Sequence, residues 1–551
     1  MQFKKLLIKH RRDTMVIKAS WFGLVKRIAF LSFFLIVGSS TILGWDIQTA
    51  RAGEQASLDQ PKFDFHGYVR EYVGVNLQDH PELDKNGNPI NGKGQLSMAR
   101  STLKLEGTAD FKVVKFVAIG RADYEAKTPY LQKLEDAAVA KGGNKFLHDA
   151  YDRKELRELY AAFDIGDRLT FKLGKQQVVW GETDVLRGTD IIQGYDTRWR
   201  SILENENEEL RKPLIMLNTL INFPEVDGSL QLIYRPGWDP AKNVTNSGDQ
   251  FGGRWAAQPF KGFNSFNVAP LNYHHSKGDT DDANYGFRWT GIWNQVNYSF
   301  LYYRGLTLDP VVNSVFNPYG EAPKSLTGAE MIFPEVDTFG ITFNSFWDRA
   351  DVVLRGEFAY TPNKPYNVAG LTTGSPLLPP FLTVAAVTGT TGLAGIKEKK
   401  TLTSMLGFDK NLSYLQNVFS TDRPVFWTSQ LFDTWLVNYK ESDDIVDLFG
   451  YGALKPRHWT VFTSVLSLSY GNGTTTPSLG FVYDLNNHDA ILIPGVDFVI
   501  GNHWRIHSDL NIFIPHGTAR KPDTDPFEKQ THLFGTFDNN NQFNVRVSYY
   551  F

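Results

Sequence analysis

From about residue 60 to its end, the chain alternates apolar and polar side chains in segments of about ten residues. In the last segment, the alternate positions hold Phe543, Val545, Val547, Tyr549 and Phe551. Alternation at period two gives a β-strand one apolar face and one polar face. About ten residues suffice for a tilted strand to cross a bilayer. The pattern therefore predicts membrane-spanning strands.

The same period recurs throughout the chain. Examples are Phe116 and Ala118 against Arg121 and Asp123, Phe287 and Trp289 against Arg288, Leu354 and Phe358 against Arg355 and Glu357, and Ile506 and Leu510 against Arg505 and Asp509. A soluble β-sandwich also alternates, but it rarely reaches this length. The 14% aromatic content and the mean hydropathy of −0.30 suit a barrel with an apolar outside and a wet inside. No run of 18 apolar residues follows the N-terminal region, which disfavours a helical membrane protein.

The connections between these segments alternate in length. Long connections are predicted near 77–94, 126–156, 181–212, 236–283, 305–336 and 361–399, and short ones near 110–112, 165–167, 224–228, 294–295 and 347–350. This rhythm is typical of an antiparallel up-and-down barrel in the outer membrane of a Gram-negative bacterium, with long extracellular loops and short periplasmic turns. The count favours 18 strands with 16 as the alternative, because residues 409–423 fit neither class of connection.

The N-terminal 52 residues have a different character. Lys26 and Arg27 precede the apolar run 28–37, and the small-x-small triplet 50–52 follows, as in a cleaved secretory signal. We therefore predict a signal peptide over 1–52, with Met15 as an alternative start, and a barrel over 53–551. Without the nine basic and two acidic residues of the signal, the remaining chain has 48 Lys and Arg and 58 Asp and Glu, which gives a net charge of −10. This balance argues against a nucleic-acid partner.

No catalytic motif is present, so we expect neither an enzyme nor a cofactor. The adjacent pair His274 and His275 is interpreted as solvated surface rather than a metal site. The acidic run 279–282 offers carboxylates for Ca²⁺ but lacks the spacing of an EF-hand, so no metal is assigned. A barrel lipase or deacylase is an alternative, but we find no outward Ser–His pairing.

A barrel of 16 or 18 strands encloses more space than side chains can fill. Charges on the polar faces should therefore line a wet lumen. The predicted pore-lining residues are Arg121, Asp123, Lys172, Arg288, Arg355, Glu357, Arg505 and Asp509. Aromatic residues on the apolar faces, such as Trp289, Trp293 and Tyr549, should face lipid at the membrane interfaces.

Two long loops carry further predictions. The connection 181–212 concentrates charge and is predicted to fold into the lumen as a constriction loop through Glu182, Asp184, Arg187, Asp190, Asp196 and Arg198. A solvated extracellular loop is the alternative. The connection 361–399 contains the apolar run 375–387, and its neighbour adds Val311, Val312, Val315 and Phe316. Such a cluster could line a hydrophobic uptake site, plug the mouth of the barrel, only pack together, or touch outer-leaflet lipid.

Two resemblances support this assignment. The C-terminal strand, with Tyr549 and Phe551, resembles the signal read by the barrel-assembly machinery. The motif 172–182 (KLGKQQVVWGE), followed by Asp190, Asp196 and 213–217 (PLIML), resembles the family of porin-like barrels known as domain of unknown function 1302. Lys175 and Thr183 depart from the Arg and Ser usual in that family. The resemblance implies an exported barrel that often accompanies exporters or pathways for hydrophobic compounds.

The sequence therefore predicts an outer-membrane channel for passive passage of small, amphipathic or hydrophobic molecules. Its expected partners are outer-membrane lipid, the barrel-assembly machinery and a small-molecule permeant. A homotrimer and a partnership with an efflux or export system are left open.

Overall fold

The structure is a computed structural model. It describes residues 61–79, 84–140, 142, 145, 150–200, 203–204, 206–249, 252–256, 261, 269–368, 394–447, 453–516 and 533–551. The predicted signal peptide, residues 1–52, lies outside this part of the chain, as does the apolar run 375–387.

Eighteen antiparallel strands form a closed barrel. They are β1 Lys62–Asn76, β2 Leu96–Asp110, β3 Lys115–Glu125, β4 Arg153–Ile165, β5 Leu169–Gln176, β6 Leu214–Phe223, β7 Gly228–Arg235, β8 Asn284–Trp293, β9 Val296–Leu306, β10 Glu335–Trp347, β11 Val352–Val368, β12 Ile396–Leu412, β13 Val425–Leu436, β14 His458–Ser467, β15 Thr475–Asp484, β16 Ala490–Ile500, β17 Trp504–Ile514 and β18 Gln542–Tyr550. Each strand pairs with the next, and β1 pairs with β18 from Tyr68↔Tyr550 to Asn76↔Gln542. Closure leaves no open edge on the sheet.

The two faces of the wall differ as the alternation predicted. On β1, the side chains of Tyr68, Arg70 and Tyr72 are buried on the inner side, while Val69 and Val73 are partly exposed on the outer side. A closed barrel with an apolar outer face and a charged inner face satisfies its backbone in lipid and holds water inside. The predictions of an 18-stranded barrel and of the outer membrane are confirmed.

Two connections depart from the predicted rhythm. The ambiguous stretch 409–423 contains the end of β12 and the short helix Ser413–Phe419, on the side of the short turns. The connection 485–489 lies on the long-loop side but has only five residues. There, Asp484 caps the turn by accepting hydrogen bonds from the backbone N–H groups of Asn486 and Asn487 at 2.9 and 3.2 Å.

The long loops add small elements above the wall. They include the helix Pro129–Ala140 and two hairpins, His274–His275 with Gly278–Asp279 and Val311–Ser314 with Ala329–Ile332. Leu131 and Leu134 of the helix pack against Tyr72, on the inner face of β1. Among the described residues, no helix combines the length and apolarity needed to cross a membrane.

The last residue closes the seam of the barrel. The Phe551 backbone N–H donates to the Gly67 carbonyl at 3.0 Å, and the Gly67 N–H donates to the Phe551 carbonyl at 3.1 Å. Deleting Phe551 removes both bonds and the terminal aromatic ring, so we expect less heat-modifiable, folded protein in outer-membrane fractions. Phe551→Tyr keeps these features and should retain the folded yield. Equal yields from the deletion and the intact chain would contradict a role in assembly.

Candidate functional site

The connection between β5 and β6, residues 177–213, is here named the lumen loop; it is described except at 201–202 and 205. Hydrogen bonds at its base direct it inward. Gln193 donates to the carbonyl of Gln176 at 2.8 Å and accepts from the backbone N–H of Val178 at 3.0 Å. The fully buried Trp180 donates from Nε1 to Gln231 on β7 at 2.8 Å. These bonds hold the first residues of the loop against the inner wall.

Residues 182–189 of the loop are held by β11. The Glu357 carboxylate accepts hydrogen bonds from the backbone N–H of Glu182 and from the backbone N–H and hydroxyl of Thr189, the latter two at 2.8 and 2.9 Å. A Cβ at Gly188 would collide with this carboxylate, so glycine permits the close approach. Glu357 is fully buried, and its charge is balanced by donors from the loop backbone.

Arg355, two residues before Glu357 on the same strand face, makes the second contact of this segment. Its guanidinium donates to the carbonyl of Glu182 at 2.8 Å and to the carboxylates of Asp184 at 2.9 Å and Asp409 at 2.7 Å. Asp184 also accepts from the amide of Gln430 on β13 at 2.9 Å. The loop is therefore tied to β11 and β13, and Arg355 links this contact to Asp409 on β12.

Residues 200–209 of the loop contact the other side of the barrel. The contacts are Arg200 to Asp509 at 3.2 Å, Arg546 to Glu204 at 2.9 Å, Arg70 to Glu206 at 3.1 Å, Arg121 to Glu209 at 3.0 Å and Tyr68 to Glu209 at 2.7 Å. These partners lie on β17, β18, β1 and β3. Because β11 is ten strands from β1 in one direction and eight in the other, the loop bonds to nearly opposite parts of the wall.

Between these segments, ion pairs hold the middle of the loop near β4. Asp196 pairs with Arg153 on β4 at 2.7 Å and with Arg198 at 2.8 Å. Asp190 accepts from Arg211 at 2.6 Å and from the hydroxyl of Tyr195 at 2.8 Å. These contacts hold the end of the loop that precedes β6 against the part of the loop that follows β5.

The burial of these groups affects their charge states. Burial alone would raise the pKa of Asp196, but the fields of Arg153 and Arg198 outweigh it and hold the pKa well below its usual value. For Glu209, burial is likewise opposed by nearby cations, Arg121 foremost, and its pKa falls to about 2. Burial lowers the pKa of Lys212 to about 7. Asp196 and Glu209 therefore stay ionised at neutral pH.

All eight predicted pore-lining residues occupy inward positions of their strands. Arg121, Arg355, Glu357 and Asp509 contact the lumen loop directly. Asp123 pairs instead with Arg100 on the neighbouring β2 at 2.8 Å and with Arg121 on its own strand at 3.1 Å. Within the described residues, no ion pair is formed by Lys172, Arg288 and Arg505. Whether these residues line an open path stays a prediction.

The six predicted constriction residues divide into two groups. Glu182 and Asp184 face β11, whereas Asp190, Asp196 and Arg198 form the clasp near β4. Arg187 lies over the ring of Tyr195, 4.1 Å from its centroid. A cavity of about 420 Å³ on the short-turn side is lined by Glu182 and by Arg288, together with residues of β6 to β10 and of the turn between β6 and β7.

Several contacts of the loop were missed by the sequence reasoning. Arg70 and Arg546 hold Glu206, and neither was singled out, although both occupy inward positions of strands that end or begin the barrel. Arg200 and the acidic run 204–209 belong to the charged connection 181–212, but their partners on the wall were not predicted. The sequence feature that indicates these contacts is the concentration of acidic residues in the loop. It can be matched to the inward arginines only once the pairing of β1 with β18 is known.

The remaining candidates lie on the extracellular side. His274 contacts Asp279 at 2.9 Å and Asp281 at 3.6 Å on an exposed hairpin, while His275 is buried. Val311 and Val312 are buried in the neighbouring hairpin, whereas Val315 and Phe316, which follow them, are exposed. These residues are separate from the lumen loop, and no metal is assigned to the histidine cluster.

Comparison with solved structures finds other barrels at low similarity. OccAB1 of Acinetobacter baumannii has a TM-score of 0.43 and 10% identity over 89% of this chain and 96% of that one. OpdK of Pseudomonas aeruginosa, solved with vanillate, has a TM-score of 0.43 and 9% identity over 89% and 98%. OccAB2 of A. baumannii has a TM-score of 0.43 and 8% identity over the same shares.

No curated protein is significantly similar to the sequence. The family model described as "Protein of unknown function (DUF1302)" matches residues 48–551. This match covers nearly the whole chain, including every strand of the barrel and the lumen loop. The chain therefore belongs to the DUF1302 family of proteins.

Proposed function

We propose that the protein is an outer-membrane channel whose lumen loop narrows the path and selects the small molecules that pass. The observation that carries the proposal is the attachment of one loop to nearly opposite parts of the inner wall. A loop held in this way divides the lumen at the depth where it crosses. Passage then depends on the groups that border the remaining opening.

The charges in the lumen support a water-filled path. Arg288 lies in the cavity below the loop with Glu182, yet these two residues form no ion pair with each other. A charge without an ionic partner is costly in a dry interior, whereas water in a wide barrel hydrates the partly exposed Arg288. The arrangement therefore favours a hydrated lumen over a sealed protein core.

We further propose that the preferred permeants are amphipathic or hydrophobic molecules. The support is the apolar run within 376–388, in the connection between β11 and β12. The described base of this connection is held at the mouth, since Asn367 at the end of β11 donates to the carbonyl of Val312 at 2.8 Å and accepts from its N–H at 3.0 Å. Apolar side chains at the mouth would stabilise an apolar permeant by roughly 25 cal/mol per Å² buried.

Replacing residues 376–388 with a Gly/Ser linker tests this substrate class. Loss of the apolar side chains should impair uptake of hydrophobic compounds such as fatty acids, sterols or hydrocarbons. Small-sugar flux should stay the same or rise, because a more polar entrance is better hydrated. The measurement is uptake by cells that carry equal amounts of each variant at the surface.

A matched control is available in the connection between β17 and β18. Residues 517–529 have the same length and are mostly polar, and the strands that flank them are joined on the same side of the barrel as β11 and β12. The same Gly/Ser replacement there should leave hydrophobic uptake unchanged. If uptake survives replacement of 376–388 as well, the apolar run only packs, and a general porin is the better description.

A further inference from the structure

Charged side chains at outward positions of the wall include Glu71 on β1, Lys154 on β4, Lys175 on β5 and Lys410 on β12. Glu71 on β1 alternates with the inward Arg70 and Tyr72, so it points outward, where its carboxylate accepts a hydrogen bond from the hydroxyl of Ser101 at 2.8 Å. Lys175 on β5 precedes the inward Gln176 and donates to the carbonyl of Leu156 at 2.9 Å. Within the described residues, neither Glu71 nor Lys175 forms an ion pair. Charges on the lipid face of a barrel are destabilising unless something shields them.

The depth of Glu71 and Lys175 follows from the register of the strands. The row of cross-strand partners that begins at Glu71 continues through Ser101 and Tyr124 and then passes beyond the extracellular start of β4. A row of paired residues runs perpendicular to the tilted strands. Each row therefore comes closer to the extracellular side with every strand from β1 to β5. With strands about 4.8 Å apart and tilted by about 40°, each step climbs roughly 3 Å.

The row of Lys175 runs back through Leu159, Ala118 and Gly107 to Phe65 on β1. Phe65 precedes Glu71 by six residues, which places it roughly 15 Å lower along a tilted strand. Four steps up the row recover roughly 13 Å. Glu71 and Lys175 therefore lie at nearly the same depth, four strands apart.

The wall between the two charges carries small side chains at its centre. The outward positions there include Ala99 and Ser101 on β2, Ala118, Gly120 and Ala122 on β3, and Ala161 on β4, beside the larger Leu103, Leu105, Lys154 and Leu156. On the opposite side of the barrel, outward positions of β8 to β11 carry large rings instead, including Phe287, Phe300, Phe339, Phe343, Phe358 and Tyr360. Small side chains let two surfaces approach closely within a membrane.

We propose that two copies of the chain associate in the membrane through the outer face of β1 to β5. A twofold axis along the membrane normal, passing near Gly120 on β3, keeps every residue at its own depth. It places β1 of one copy opposite β5 of the other. It thus brings Glu71 of each copy opposite Lys175 of the other. Both Glu71 and Lys175 gain an opposite charge and are removed from lipid. This inference is independent of whether the barrel conducts.

Charge reversal tests the contact. Glu71→Lys and Lys175→Glu should each lower the fraction of dimers several-fold, and the double variant should restore it, because both contacts re-form with exchanged signs. The readout is photobleaching-step counting of singly labelled protein in phospholipid vesicles, with the label on a Cys introduced at the fully exposed Leu326. Heat-modifiability checks that each variant is folded.

The matched control is Lys410→Glu. Lys410 also donates to a backbone carbonyl, that of Ala350, but it lies on β12, far from the proposed interface. Its reversal should leave the dimer fraction unchanged. Single bleaching steps for the unaltered protein, or a double variant that stays monomeric, would overturn the proposal.

A cysteine introduced at the axis gives a second test that disturbs no charge. The chain contains no Cys, and a Cβ at Gly120 would have open space around it. Gly120→Cys should therefore form a disulfide-linked dimer on mild oxidation in native membranes. Ser404→Cys, on the opposite side of the barrel, should remain monomeric. Equal cross-linking of the two variants, or none at Gly120, would overturn the twofold arrangement.

Discussion

Replacing residues 182–209 with a short Gly/Ser linker is expected to raise the single-channel conductance several-fold. The replacement removes the segment that bonds to β11 on one side and to β1 and β18 on the other, and it keeps Trp180 and Arg211 at the base. With this segment no longer crossing the lumen, the conducting cross-section widens. Planar-bilayer recording of the purified variant beside the intact protein measures the change.

The control for this variant is whether its barrel still folds and closes. Heat-modifiability and an unchanged strand content should show that the barrel still forms, since none of the deleted residues belongs to a wall strand. A folded variant whose conductance equals that of the intact protein would mean that the lumen loop does not limit the path.

Arg355→Glu is expected to produce the largest change in ion preference from a single substitution. Arg355 joins Asp184 of the loop to Asp409 of the wall, so reversal turns two attractions into two repulsions. Unit charges 4 Å apart interact by about 1 kcal/mol in bulk water and by about 4 kcal/mol at an effective dielectric of about 20. The loop segment should shift, and the local charge should become strongly negative.

The measurement is the reversal potential in a salt gradient, which should move toward cation preference. Arg168→Glu is a suitable control, because Arg168 lies in the short turn between β4 and β5 and pairs with the exposed Glu225. Its reversal should leave the reversal potential nearly unchanged. Equal reversal potentials for Arg355→Glu and the intact protein would place Arg355 outside the permeation path.

The wall could be predicted from the sequence because its determinants are local. A period of two fixes which side chains face lipid, and the turn at 294–295 is marked by polar residues between two aromatic strands. The helix 413–419 was not predicted, because its seven residues are too few to show a helical period.

The site could be predicted only in part. The charge density of 182–198 indicated a loop that enters the lumen, but its partners depend on closure of the barrel. The contact of Arg70 with Glu206 joins residues 136 positions apart. The hydrogen bonds from the loop N–H groups to Glu357 could not be predicted from the sequence, because nearly every residue type has the same backbone donor.

The most direct test of the account is a planar-bilayer recording with the purified, unmodified protein. A barrel with a hydrated lumen narrowed by the loop should give discrete conductance steps, smaller than those of the variant that lacks residues 182–209. Folded protein that inserts into the bilayer and gives no conductance would contradict the channel and favour a closed scaffold.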